Sequence, residues 1–270
     1  MENEKVGTAF VITSGKGGVG KTTTSANIGT GLAILGYSVV VVDADIGLRN
    51  LDVVMGLENR IVYDIVDVVE GNCRLKQALI KDKRYEKLYL LPAAQTRDKS
   101  AVAPEQMLTL VEELKQQFDY IIVDSPAGIE QGFQYSVAGA DEAIIVTTPE
   151  ISAVRDADRV IGLLESKEIY NPKLIINRIR PDMVKRGDMM NMEDIVDILA
   201  IDLLGIIPDD ESIVISTNKG EPVIKEGSSM SARAYKNIVD RITGKEIELL
   251  NLEEDGESRF GKILKLLFGK

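Results

Sequence analysis

The sequence predicts an α/β fold: one doubly wound, mostly parallel sheet with helices on both faces. Short apolar, β-branched runs recur at residues 9–12, 38–42, 88–91, 120–123, 143–147, 174–176 and 203–206. They are continuous rather than alternating, which is typical of strands buried on both faces of a parallel sheet. Helical patterns occupy residues 22–35, 104–117, 152–165, 192–199 and 231–242. This alternation of strand and helix predicts a single doubly wound unit.

Composition limits the chemistry. The chain has 270 residues and a formal net charge of −11, which argues against a surface built to coat nucleic acid. It contains no histidine, so Ser-His-Asp and Cys-His catalysis and histidine-ligated metals are excluded. The single cysteine, Cys73, is expected to be a partly buried small residue. Any bound metal must therefore be a hard ion held by oxygen.

A phosphate-binding loop is predicted at residues 15–22, which fit the pattern G-x4-G-K-[ST] between a strand and a helix. The glycines let backbone N–H groups turn inward around phosphates, and the helix N-terminus adds its positive end. Lys21 is expected to reach the terminal phosphates, and the Thr22 hydroxyl to ligate Mg²⁺. The predicted nucleotide-binding residues are Gly15, Lys16, Gly17, Gly18, Val19, Gly20, Lys21, Thr22, Thr23, Asn177 and Arg178.

Lys16 is a second lysine in this loop, on its crest and five residues before Lys21. A phosphate loop needs only Lys21, and the Lys16 side chain is not expected to fold onto its own γ-phosphate. An outward cation could meet a phosphate on a facing subunit. The alternative is an ordinary solvated surface lysine.

Three aspartates follow predicted strands: Asp43 and Asp45 after one, and Asp124 after another. Ligands of open parallel sheets bind at the carboxyl ends of strands, so these side chains should converge near the loop. Asp43, Asp124 and Thr22 form the predicted metal site. Asp45 would orient the attacking water, which makes Lys16, Lys21 and Asp45 the predicted catalytic set. Aspartates at strand ends are also common turn or cap residues.

Asn177 also follows a predicted strand, where its amide could read the adenine edge; a turn-forming asparagine is the alternative.

The chain is divided by the sequence into a P-loop ATPase domain at residues 1–250, an acidic tether at 251–257 and an amphipathic helix at 258–270. On that helix the predicted membrane face is apolar, with cations beside it. Its residues are Phe260, Ile263, Leu264, Leu267, Phe268, Arg259, Lys262 and Lys265. The alternative is a terminal helix docked on the core.

Several motifs together resemble a known family. Residues 16–22 (KGGVGKT) are similar to the deviant Walker A motif, whose first lysine acts across a dimer. Residues 43–52 (DADIGLRNLD) and 124–130 (DSPAGIE) resemble switch segments of its septum-site branch, and residues 152–159 and 186–189 are also similar to that branch. The chain is thus identified as a member of the deviant Walker A (ParA/MinD) P-loop ATPase family, from about residue 8 to the terminal helix.

The resemblance implies Mg²⁺-dependent hydrolysis of ATP by an ATP-dependent homodimer. Asp45 would assist hydrolysis, Lys16 would reach the partner's nucleotide, and Asp156 would belong to a partner-binding surface. The implied location is cytoplasmic, peripheral on the inner face of the plasma membrane. The implied partners are an anionic membrane surface, the division inhibitor MinC, and MinE or another topological factor. The implied role is to position the division site, and no nucleic acid is expected as a partner.

Three other classes of protein share part of this pattern. A ParA-like DNA-partitioning ATPase shares the loop, but the acidic balance and the terminal helix argue against it. The nitrogenase iron protein needs two cluster cysteines in each subunit, so Cys73 alone excludes it. A nucleotide-binding scaffold without turnover is disfavoured by the intact Asp43, Asp45 and Asp124.

Overall fold

The computed structural model describes residues 6–252, which form one eight-stranded sheet in the order β3-β4-β2-β5-β1-β6-β7-β8. Its strands are β1 Thr8–Thr13, β2 Val39–Asp43, β3 Ile80–Lys81, β4 Leu88–Leu91, β5 Tyr120–Asp124, β6 Glu142–Thr147, β7 Lys173–Ile179 and β8 Leu203–Pro208. All neighbouring strands pair in parallel except β3, which pairs antiparallel with β4 at the edge.

Helices connect the strands. The α-helices within residues 6–252 are α1 Lys21–Ile34, α2 Leu51–Val54, α3 Ile65–Val69, α4 Leu75–Ala78, α5 Pro104–Lys115, α6 Gln131–Ser136, α7 Ile151–Glu165, α8 Pro181–Lys185, α9 Met192–Leu199, α10 Glu211–Asn218 and α11 Met230–Ile242. Short 3-10 turns lie at Glu58–Arg60, Lys99–Ala101 and Val223–Lys225.

Two apolar cores lie on opposite faces of the sheet, because alternate residues of each strand point to opposite faces. In β1, Ala9 and Val11 belong to the core that includes residues of α5 and α7, whereas Phe10 and Ile12 belong to the one with residues of α1 and α11. All four are buried, which explains why the strands read as continuous apolar runs.

The predicted fold class is confirmed, and every predicted strand and long helix is present. Their ends agree to within two residues, except that β7 continues three residues past the predicted end at 176. The antiparallel β3 and the short helices α2, α3, α4, α6, α8 and α10 were not predicted. Within residues 6–252 no helix is long and apolar enough to span a bilayer. Most of the predicted tether and the whole amphipathic helix lie outside the described residues, so those boundaries stay predictions.

The strand register places two acidic side chains next to each other. Asp43 ends β2 and Asp124 ends β5, and the two residues are directly paired across the parallel ladder. Ile12 of β1 pairs with Asp124 from the other side, just before the chain enters the loop of residues 14–20. The predicted acids and the predicted loop therefore meet at the carboxyl edge of the central strands.

Candidate active site

The loop of residues 14–20 leads from β1 into α1, and its shape requires glycine at two positions. Gly20 has φ +100°, and a Cβ there would lie 2.3 Å from Asn177 Nδ2. A Cβ on Gly15 would lie 2.3 Å from the Asp156 carbonyl oxygen of α7. The loop is thus packed between β7 and α7, while Gly17 and Gly18 are exposed at its crest. Thr22 and Thr23 follow in the first turn of α1, half-buried.

Lys21 is buried, and its ammonium donates to Ser14 Oγ at 2.9 Å. Ser14 Oγ in turn donates to the Lys16 carbonyl at 2.7 Å, so one hydroxyl ties both ends of the loop. Burial lowers the pKa of Lys21, while Asp124 and Asp45 oppose that shift. A desolvated ammonium held at the inside of this loop is suited to a phosphate oxygen.

Asp43 and Asp124 are both buried, in a region with more carboxylate than cationic charge. Burial raises the pKa of Asp124 to about 6, against hydrogen bonds from Thr22 and Ser25 and the charge of Lys21. The Ser25 hydroxyl donates to Asp124 Oδ1 at 2.8 Å. Burial and then the neighbouring Asp124 raise the pKa of Asp43 well above its usual value. Such a site is stabilised by an added cation.

A magnesium ion fits this donor set. The Thr22 hydroxyl and the carboxylates of Asp43 and Asp124 are all hard oxygen donors. Thr22 bonds to Asp124, and Asp124 is paired with Asp43 across the sheet. Within residues 6–252 no group of three acidic, histidine or cysteine side chains converges closely enough to hold a metal alone. Mg²⁺ usually keeps several waters and takes further ligands from substrate phosphates. It would neutralise charge that develops on the phosphates during transfer.

Asp45 lies in the loop after β2 and is half-buried. Its backbone N–H donates to Asp43 Oδ1 at 3.0 Å, and Asp43 Oδ2 accepts from the Leu51 N–H at 3.2 Å. The carboxylate of Asp43 therefore fixes both ends of the segment that carries Asp45. Asp45 Oδ1 is buried without a hydrogen-bond partner, and Lys99 Nζ approaches it only to 3.9 Å. Burial raises the pKa of Asp45, against the charges of Lys99 and Lys21. The charge of Lys21 acts on Asp45, so this carboxylate lies near the phosphate loop, and its role toward water stays a prediction.

Lys16 points away from the pocket of Lys21. Its ammonium donates to Glu150 Oε2 at 2.8 Å and to Ser152 Oγ at 3.2 Å, at the start of α7. These contacts lie at the exposed edge of the site, since the side chain of Lys16 is 40% exposed. The outward direction predicted for Lys16 agrees with this position. Its action on a second subunit stays a prediction.

Asn177 and Arg178 end up in different environments. Asn177 is buried, and its Nδ2 donates to the Val19 carbonyl at 2.8 Å, which holds the phosphate loop. Its Oδ1 accepts from the Arg178 N–H at 2.9 Å. Arg178 is exposed, with φ +58°. It lines a cleft of about 900 Å³ together with Glu150, Ser152 and Asp209. In this structure the amide supports the loop, and recognition of adenine by Asn177 stays a prediction.

Asp156 lies on α7, where its backbone packs closely against Gly15 and its carboxylate is 3.6 Å from Arg159. Its carboxylate is partly exposed. The eight residues of the predicted membrane face, Arg259 to Phe268, lie outside the described residues.

Comparison with known proteins identifies the family. Residues 10–223 match the family described as CobQ/CobB/MinD/ParA nucleotide binding domain. The septum site-determining protein MinD of Bacillus subtilis is 61% identical over 98% of this chain and 99% of its own length. The chain belongs to the MinD family. It is therefore an ATPase of the ParA/MinD type, as predicted, with ATP and Mg²⁺ as its cofactors.

Two solved structures agree with this assignment to the MinD family. The MinC:MinD cell division protein complex of Aquifex aeolicus matches with TM-score 0.85 and 53% identity, over 90% of this chain and 99% of that chain. The septum site-determining protein MinD of Pyrococcus horikoshii, complexed with Mg-ADP, matches with TM-score 0.80 and 30% identity, over 88% and 96%. These matches favour the septum-site branch over the DNA-partitioning alternative.

Several polar residues of this MinD-family site were not predicted. They are Ser14, Ser25, Lys99, Glu150, Ser152 and Asp209. None belongs to the G-x4-G-K-[ST] core or to the two strand-end acid groups. Ser14 and Ser25 flank the motif, and a search for hydroxyls facing inward from β1 and α1 could have found them. The others reach the site only through the tertiary fold.

Proposed function

We propose that the chain positions the cell-division site as an ATP-dependent, membrane-associating dimer that recruits a division inhibitor. The observation that carries this proposal is the place of Lys16. Its ammonium lies on the exposed rim of the site, bound to Glu150 at 2.8 Å, while Lys21 occupies the buried interior. In this proposal one lysine serves the chain's own nucleotide, and the other serves the nucleotide of a second copy.

Hydrolysis in this proposal needs positioned charge rather than covalent chemistry. Lys21 and the loop amides would hold the phosphates. Thr22 and Asp124, with Asp43 beside them, would hold Mg²⁺. Asp45 orients the attacking water with its carboxylate. Asn177, Arg178 and Thr23 belong to the nucleotide pocket. Lys16 completes the partner's site when two subunits close.

The division inhibitor is proposed to be MinC. The solved complex of the Aquifex aeolicus relative, at 53% identity, contains MinC together with MinD. Asp156 is proposed as part of the docking surface, since α7 carries it beside the phosphate loop. A MinE protein or another topological factor is proposed as the stimulator of hydrolysis.

Membrane association is proposed to reside in residues 258–270, peripheral on the inner face of the plasma membrane. Each lysine or arginine near an anionic surface contributes about 1 kcal/mol. A helix this short is marginal in water, so a single copy pays an ordering cost and binds weakly. Two linked copies gain about 10²–10⁴ in avidity. Dimerisation with ATP would then control membrane binding.

Sedimentation with anionic phospholipid vesicles tests this function. We expect the full-length chain to pellet with vesicles in ATP and Mg²⁺, and to stay in the supernatant with ADP. Deletion of residues 259–270 should abolish pelleting but leave ATP-dependent dimerisation intact. Pelleting that survives the deletion would show that the terminal helix is not the membrane anchor.

Two added components distinguish the division-site hypothesis from the DNA-partitioning hypothesis. The cognate MinC should pellet with vesicles only when the chain and ATP are both present. Double-stranded DNA added as a competitor should leave pelleting unchanged. If the chain instead bound DNA in the presence of ATP, the DNA-partitioning hypothesis would replace the division-site hypothesis.

A further inference from the structure

Tyr135 of α6 connects two segments of the active site that are far apart in the sequence. Its side chain is fully buried, and its hydroxyl donates to the Ala44 carbonyl at 2.6 Å. Ala44 stands between Asp43 and Asp45. Helix α6 begins after residues 125–130, the segment that follows Asp124. One hydroxyl therefore joins the segment after β5 to the segment after β2.

The Ala44 peptide sits at the centre of the contacts that place Asp45. The Ala44 N–H donates to the Asp124 carbonyl at 3.0 Å, and the Asp45 N–H donates to the Asp43 carboxylate at 3.0 Å. Further along, the Gly47 N–H donates to the Ala94 carbonyl at 2.8 Å. Two kinds of side-chain contact thus hold the backbone of residues 44–46: the Asp43 carboxylate accepts a hydrogen bond, and the Tyr135 hydroxyl donates one. The Tyr135 bond is the one that reaches this turn from α6.

We propose that Tyr135 is a positioning residue for hydrolysis, which holds Asp45 in place by fixing the Ala44 carbonyl. The inference rests on the proposed role of Asp45 as the residue that orients water. A small rotation of the Ala44–Asp45 peptide would move the Asp45 carboxylate relative to the phosphate loop, and misplacement by about 1 Å can lower a rate strongly. Tyr135 would act on turnover and leave the contacts of Lys21 and the loop amides with the nucleotide unchanged.

Tyr135→Phe removes the hydroxyl and keeps the buried ring. The Ala44 carbonyl also accepts from the Ile46 N–H at 3.1 Å, so it is not left without a donor. Loss of one neutral hydrogen bond to a positioned group corresponds to a fall in kcat of about three- to tenfold. KM for ATP should stay within about twofold of the wild-type value.

A matched control is available in Tyr235 of α11. It is also fully buried, and its hydroxyl contacts Thr24 Oγ1 at 3.3 Å, away from the Asp45 segment. Tyr235→Phe should leave kcat unchanged. Both variants are compared by thermal unfolding, so that any loss of stability common to them is separated from the loss of turnover.

The experiment is a double-mutant cycle on the full-length chain, with phosphate release measured in single-turnover reactions in ATP and Mg²⁺. We expect Tyr135→Phe to slow hydrolysis in the wild-type background and to have no further effect in Asp45→Ala. Equal slowing in both backgrounds would assign Tyr135 a general structural role and overturn the proposal. Unchanged turnover in Tyr135→Phe, together with a loss in Asp45→Ala, would overturn it while the role of Asp45 stands. Wild-type turnover in Asp45→Ala would remove the role of Asp45 itself, and the inference with it.

Discussion

Two buried carboxylates side by side are unfavourable for the fold and useful for the site. Asp43 and Asp124 are paired directly across neighbouring strands, with Lys21 as the nearby buried ammonium. Burying an ionised carboxylate costs free energy unless a cation or hydrogen bonds compensate it. In the absence of Mg²⁺, the compensation is partial, as the raised pKa of both groups indicates. The buried pair therefore lowers the stability of the unliganded chain, and the same pair favours the binding of a metal ion.

Asp124→Asn should stabilise the unliganded protein at neutral pH. The pKa of Asp124 is about 6 in the folded state, against 3.8 as its usual value. The folded state thus binds more protons between these values, so the free energy of unfolding falls as pH rises through this window. At pH 7 the substitution should raise the free energy of unfolding by roughly 1–3 kcal/mol, and near pH 4 by much less. Urea unfolding without nucleotide and Mg²⁺ measures both values.

Asp202→Asn is the control for this prediction. Asp202 is exposed and its pKa is lowered by the hydrogen bond from Lys173, so its substitution should not stabilise the chain at pH 7. The same Asp124→Asn variant should lose Mg²⁺-dependent hydrolysis. A variant that is less stable than wild type at pH 7 would contradict the electrostatic account of this pair.

Among the secondary-structure elements, Arg84 ties three turns together. Its guanidinium pairs with the buried Asp82 at 2.7 Å and donates to the carbonyls of Gly220, at 2.7 Å, and Met55. These groups belong to the turn between β3 and β4, the turn after α10 and the end of α2. Helix α2 begins at Leu51, whose N–H is bound by Asp43. Arg84 thus supports the far end of the segment that carries Asp45.

Arg84→Ala should destabilise the chain by about 2–4 kcal/mol, because it leaves the Asp82 carboxylate buried without its cation. Asp82 is 1% exposed, so water cannot replace the lost partner without rearrangement. Denaturant unfolding measures the effect. Arg186 is the matched control: it pairs with Asp182 and Asp188, but its side chain is 58% exposed. Arg186→Ala should change the free energy of unfolding by less than about 1 kcal/mol. Equal effects in the two variants would refute this view of Arg84.

Most of the elements that the sequence did not predict are short, and this has a physical reason. Strands such as β1 and helices such as α7 carry a continuous or periodic apolar pattern that local sequence displays. The two-residue strand β3 and the four-residue helix α2 are held by tertiary contacts, among them those of Arg84 and Asp43. Elements of this length have too few residues for a period to be recognised.

The residues of the candidate site also fall into a predictable group and an unpredictable group. Asp43 and Asp124 were predicted to converge because parallel strands bring their carboxyl ends to one edge. The contacts of Glu150 with Lys16 and of Tyr135 with Ala44 join positions 134 and 91 residues apart. Loop and helix packing decide such pairs, and no spacing rule in one sequence predicts them.

At the scale of the whole molecule, the net charge and the two-fold symmetry of the proposed dimer both bear on membrane binding and dimerisation. The chain carries a formal net charge of −11, so an anionic membrane repels it as a whole. The proposed membrane attachment would therefore depend on a local basic segment and on linking two copies of it. In a two-fold dimer each contact occurs twice, so a lysine that reaches the partner's nucleotide contributes two charge-assisted bonds. Loss of Lys16 should then weaken dimerisation far more than one contact would.

Lys16→Ala should therefore leave ATP binding by the single subunit intact while it abolishes ATP-dependent dimerisation and hydrolysis. Two charge-assisted hydrogen bonds, each about 1.5–3 kcal/mol, correspond to a weakening of dimerisation by at least about a hundredfold. Light scattering after size-exclusion chromatography in ATP measures the dimer, and phosphate release measures turnover. Lys225→Ala is the matched control. Lys225 pairs with Glu221 at 2.9 Å and its side chain is 45% exposed, while Lys16 pairs with Glu150 at 2.8 Å and its side chain is 40% exposed. If both variants dimerise and hydrolyse like the wild type, Lys16 is an ordinary surface lysine, and the shared site does not exist.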